Sequence, residues 1–141
     1  MLKTEQQTAL DSVINSSRRS IEHYRWVADS SNDEQDRILL YKLALHREII
    51  VEKLAPQMYK LGDMPSSPDP EKLTFEEIFT QLKAAFSEDE ENVLSTSLDD
   101  VDSQLLQEIS EACSLDFDEE TTALLGELQQ SVVEAKHMRG S

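Results

Sequence analysis

Four long stretches of this chain repeat their apolar residues at alternating three- and four-residue spacing, and that period is the strongest constraint on its fold. Leu10, Val13, Ile14, Ser17, Ile21, Tyr24 and Ala28 mark the first stripe. Leu39, Leu40, Leu43, Ile50, Val51, Leu54, Met58 and Leu61 mark a broader second one. Leu94, Leu98, Val101, Leu105, Ile109 and Ala112 form another, and Thr121, Leu124, Leu125, Leu128, Val132 and Ala135 the last. Strands need a period of two and hairpins need turn residues. The whole chain holds only three glycines and four prolines. The fold class is all-α.

Local signals divide these stripes into helices. The first is expected over 4–30, ended by the polar cluster Ser30-Ser31-Asn32-Asp33, which also offers an N-cap to the next helix. So short a link makes the two antiparallel neighbours. The second is expected over 34–61, stopping at Gly62, with a kink where Pro56 removes a backbone donor and crowds the carbonyl of Glu52. Residues 62–73, with Pro65, Pro68 and Pro70, form the one long linker. A short helix over 74–86 follows, with a Thr74–Glu77 capping box, a Leu73–Ile78 staple and a buried face of Phe75, Ile78, Phe79, Leu82 and Phe86. Ser87 and Glu90 repeat the box before a helix running to about Cys113, and the acidic run 116–120 opens the last. The expected architecture is one four-helix-bundle domain over 1–139, with a short extra helix after a long second connection. Gly140-Ser141 reads as a vector-derived remnant.

Charge and cysteine usage narrow the function classes. A formal net charge of −16 argues against nucleic-acid partners and anionic membrane surfaces, both of which need basic patches. It leaves cations or a basic protein as partners for the acidic surface. Cys113 is the single cysteine, so no disulfide framework exists within the chain. No apolar run reaches membrane-spanning length and no secretory signal opens the sequence. The expected location is the cytoplasm.

A carboxylate-bridged metal pair in a bundle needs a Glu from each of two helices and an inward E-x-x-H from each of the other two. This chain has one such motif, Glu134-x-x-His137, and both residues project away from the last stripe. Glu22 and His23 fall roughly 120° or more from the first stripe. Glu48 and Glu52 lie opposite Leu43 and Ile50, and His46 sits at the edge of the second stripe as the best-placed histidine. His46, Glu134 and His137 are therefore the candidate metal ligands, at a surface or between subunits rather than in a core site.

Arg47 is the unusual feature, near the middle of the second apolar arc among Leu40, Leu43, Ile50 and Leu54. Three arrangements satisfy a guanidinium there. The ordinary one packs the stem inside and carries the head to solvent. The second is a buried pair with Asp102, at the edge of the third long stripe, helped by the Tyr24 hydroxyl and fixing helix register. The third is an anion site. Trp26 lies off the first stripe beside Glu22 and Arg25, and is the candidate anchor for a dimer or another partner. No activated nucleophile, phosphate loop, zinc pattern or calcium loop occurs.

The segment from His46-Arg47 to Leu54, continuing to Leu61-Gly62-Asp63-Met64-Pro65, resembles a bacterial ferritin-like family of unknown function. That family carries an arginine late in its second helix, followed by an L-G-x-x-P exit. Asp102, ahead of Leu105-Leu106, and Gln129, Val133 and His137 match its later motifs. The resemblance spans about residues 8–139 and implies a ferritin-like bundle. It implies no established reaction, although the wider superfamily includes iron-storage and di-iron proteins. This chain departs from their ligand pattern in lacking a second E-x-x-H.

The leading expectation is a non-enzymatic cytoplasmic bundle that acts through protein association, as a homodimer or with another protein, and needs no cofactor. The rival is an iron-binding redox or storage protein that uses His46, Glu134 and His137. A small-molecule carrier would require a cavity between helices.

Overall fold

A computed structural model describes residues 3–65 and 90–140. It contains α1 (Glu5–Ser30), α2 (Glu34–Leu54), the single-turn α3 (Gln57–Lys60), α4 (Glu90–Cys113) and α5 (Glu119–Met138). Among the described residues there is no strand, and no helix is long and apolar enough to cross a membrane. The helix expected over 74–86, its Thr74–Glu77 box and Leu73–Ile78 staple, most of the 62–73 linker and Ser87 lie outside the described residues.

The caps account for where the helices begin. Thr4 accepts from the Gln7 N–H at 3.0 Å while the Gln7 side chain accepts from the Thr4 N–H at 2.8 Å, a reciprocal capping box. Asp33 caps α2 by accepting from the N–H groups of Gln35 and Asp36. Asp118 caps α5 through the Thr121 N–H, and hydrogen bonds from Thr121 hold its carboxyl below the ordinary range. Thr4→Ala is expected to cost about 1 kcal/mol of stability. A urea titration reads this directly, and an unchanged midpoint would show that α1 starts without its cap.

At Pro56 the chain does more than kink. α2 ends at Leu54, Ala55 closes the last turn by donating to Val51 O at 2.8 Å, and α3 starts anew after Pro56. The missing proline N–H leaves the i−4 carbonyl without its helical partner, so the helix stops. Gly62 then ends α3 with φ +81°, and the Asp63 N–H reaches back to Met58 O. A left-handed residue is needed there, and glycine takes it without a Cβ penalty.

The four long helices form a ring in the order α1, α2, α5, α4. Gln7 donates to Leu61 O, and Thr121 donates to Gln57 Oε1, so the starts of α1 and α5 meet α3 at one end. At the other end Arg139, just beyond α5, pairs with Asp99 in the first half of α4. Each helix is thus antiparallel to both ring neighbours. α2 and α4 run in the same direction: α3 lies at the end where α1 begins, and α4 starts at the opposite end.

Leu10, Ile14, Leu54, Met58, Leu105, Ile109, Leu125 and Leu128 are essentially inaccessible at the centre. Each contributes on the order of 1.5–3 kcal/mol by leaving water. The position of His23 corrects its expected place outside the core, since it is buried. α1 has α2 on one flank and α4 on the other, so its buried arc is wider than the apolar stripe. Ser20, His23 and Val27 are buried beyond that stripe, and His23 Nε2 hydrogen-bonds Ser97 Oγ of α4 at 2.9 Å.

Candidate functional site

Two features stand apart from ordinary core and ordinary surface: a buried ionic cluster and an apolar stripe on the outer face of α2.

The cluster draws on all four corners of the ring. Arg47 of α2 is 1% exposed, so its head does not reach solvent. Its Nη1 donates to Asp102 Oδ1 at 2.8 Å and to Ser20 Oγ at 3.0 Å. The Tyr24 hydroxyl of α1 also donates to Asp102. From beyond α5, Arg139 places Nη2 3.3 Å from Asp102 Oδ2 and Nη1 3.1 Å from Asp99 Oδ1. Both guanidiniums lie over the Tyr24 ring, with carbons 4.6 and 5.6 Å from its centroid.

Burial pushes the Tyr24 hydroxyl up to about 12, with nearby Asp102 adding to the effect and the two arginines opposing it. Burial works against the Arg47 charge, but Asp102 and Tyr24 together hold its pKa above the usual arginine value. Chemically the cluster is closed. Arg47 keeps its proton, the Tyr24 hydroxyl stays protonated, and Asp102 is occupied by three donors' side chains. The structure thus brings Arg47, Asp102 and Tyr24 together and adds Arg139 and Ser20. The signal for Arg139 is present in the sequence, because it continues the spacing of Leu128, Val132 and Ala135 by one further step of four.

The candidate metal ligands do not converge. His46 is exposed on α2, with Nδ1 2.9 Å from Ser131 Oγ. Glu134 and His137 are exposed on α5, where Gln130 donates to Glu134. Among the described residues no three His, Cys, Asp or Glu side chains are placed to hold an ion. Trp26 is half-buried, packs against the core and stacks on His23 with centroids 5.8 Å apart. A half-open cleft of about 260 Å³ lies where α1 meets α2, with Leu39, Leu40, Leu94 and Leu98 as apolar walls and Ser30, Asn32 and Arg139 among its polar ones.

The apolar surface lies elsewhere. Ile38, Tyr41, Leu45 and Ile49 of α2 are 48%, 39%, 53% and 48% exposed. At about 100° per residue they fall within one arc of roughly 80°, opposite Leu43, Arg47 and Leu54. Tyr41 donates to Asp29 and Arg25 pairs with Glu48, so polar contacts to α1 border the stripe on one side. Hydropathy along α2 is broadly apolar and does not by itself separate this second face. A helix apolar on two faces is the available signal, since one neighbouring ring cannot cover both.

Compared with protein-family models, with curated proteins and with solved structures, the chain matches none.

Proposed function

We propose that this chain is a non-enzymatic, cytoplasmic association module built on a ferritin-like four-helix bundle, with the outer face of α2 as its docking surface. The observation that carries the reading is the row Ile38, Tyr41, Leu45 and Ile49, exposed side by side on a helix whose opposite face is fully packed. Single exposed apolar residues are ordinary, whereas a contiguous row three turns long is the pattern of a binding face. The ferritin-like assignment is supported by antiparallel ring neighbours and by the parallel run of α2 and α4, which matches a bundle with one long crossover connection.

Photo-crosslinking in the expressing cell tests the reading. p-Benzoylphenylalanine in place of Leu45 is expected to give a covalent protein adduct, while the same group in place of the exposed Gln104 of α4 gives none. Absence of any adduct from position 45 would refute the docking role.

A further inference from the structure

We infer that the cleft at the Arg139 end of the bundle binds a small uncharged molecule, an aliphatic or aromatic body with a hydroxyl or carbonyl head. This goes beyond the docking role of the α2 face and does not depend on it. Position is the first argument. Every corner of the ring contributes to the cleft: Val27 near the end of α1, Leu40 early in α2, Leu94 and Leu98 early in α4, and Arg139 just beyond α5. Among the described residues, no side chain fills the space of about 260 Å³ between them. Drug-sized ligands take about 300–1,000 Å³, so the occupant is smaller.

The lining is the second argument. Val27, Leu40, Leu94 and Leu98 all belong to the buried apolar set, so the walls favour an apolar body. The polar group among them is Arg139, whose side chain is 5% exposed. Its Nη2 donates to Asp102, while its Nε finds no hydrogen-bond acceptor among the described residues. A buried N–H without an acceptor is unfavourable, and an oxygen seated against this guanidinium relieves it. Apolar walls with one convergent donor group are the ordinary make-up of a small-molecule site.

Charge selects the head group. Arg47 and Arg139 are matched by Asp99 and Asp102, so the cluster has no positive charge to spare. Asp36 also lines the cleft, and the chain as a whole carries −16. A carboxylate would have to displace Asp99 or Asp102 from Arg139, and it would lose its water as well. A cation would meet the guanidinium instead. A neutral oxygen meets neither obstacle.

The test is a titration of the full ¹⁵N-labelled chain, in reductant because Cys113 is exposed, with 1-octanol and separately with octanoate. These probes have the same number of carbons and differ in the charge of the head. Heteronuclear NMR is expected to show saturable 1-octanol shifts at the amides of Ser30, Leu40, Ser95 and Leu98, complete below millimolar concentration. Octanoate is expected to bind about tenfold more weakly or worse, because its charge is not compensated in the cleft. Ser95→Trp and Leu39→Trp each place an indole from a half-buried wall position into the space. Whichever of them keeps the wild-type fold weakens 1-octanol by about tenfold or more, since a filled cleft has no room to give. Leu45→Glu, on the outer face of α2, leaves the affinity unchanged.

Absence of saturable shifts, or shifts confined to Ile38, Tyr41, Leu45 and Ile49, overturns the site. So does a folded tryptophan variant that binds 1-octanol like the wild type. Octanoate binding as tightly as 1-octanol overturns the uncharged class. None of these results bears on crosslinking at position 45, so the two readings stand or fall separately.

Discussion

Asp102→Ala lowers the unfolding free energy by about 3–5 kcal/mol, the range for removing one partner of a buried ion pair. Among the described residues, Asp102 is the side chain that hydrogen-bonds Arg47, Arg139 and Tyr24 together. Without it Arg47 keeps Ser20 as a neutral partner, Arg139 keeps Asp99, and two guanidiniums remain desolvated near one aromatic ring. Replacing Arg47 has a graded result. Arg47→Leu is tolerated better than Arg47→Ala, because Asp102 still holds Arg139 and Tyr24 and leucine fills much of the volume. Alanine leaves a void as well. Urea unfolding of the three variants checks the order: Asp102→Ala and Arg47→Ala well below wild type, Arg47→Leu between. Equal midpoints for the two Arg47 variants would mean that the cluster adjusts around either residue and does not set helix register.

Alkaline pH destabilises this protein through Tyr24. Its hydroxyl is pushed up to about 12 in the fold against 10.0 for an ordinary tyrosine, first because it is buried and then, against the opposing arginines, because the Asp102 carboxylate stands beside it and accepts its hydrogen bond. The unfolded chain therefore releases this proton earlier than the folded one. The stabilisation is fully present below pH 10 and is lost as pH rises toward 12, for a total of about 2–3 kcal/mol. Tyr24→Phe removes that portion of the slope. Tyr41 and Lys60 also have raised pKa values, but both are retained in the variant, so the difference between the two curves isolates Tyr24. Parallel wild-type and Tyr24→Phe stability curves above pH 10 would refute this assignment.

The stripes of α4 and α5 were fully legible in the sequence: Leu94 to Ala112 and Thr121 to Ala135 are buried as spaced. The cap within the cluster 30–33 was legible, and so were helix starts near Thr4 and within 116–120, because these signals act between residues a few positions apart; that Thr4 and Asp118 themselves are the caps came from the structure. Pro56 was read as a kink and proved a break, because the strength of the flanking turns decides between the two and propensity alone does not supply it. The place of His23 was not legible. A helical projection centres on the apolar residues, while burial extends to whatever a second neighbouring helix covers.

Arg47 shows where local reasoning ends. Its position in an apolar arc raised three arrangements, and the choice among them depended on which carboxylate another helix brought within reach. Asp102 lies 55 positions away, a separation over which periodicity carries no information about distance. Arg139 joined the same cluster from one step past the last apolar residue of its stripe. The outer row of α2 followed the same logic. Its four residues look like core in sequence because hydrophobicity is the same on either face. Period and capping, which are interactions within a turn or two of one helix, determined that this chain is helical and where most helices start. Only the packing of four helices around Arg47 and Asp102 decided which apolar face of α2 is interior and which is exposed.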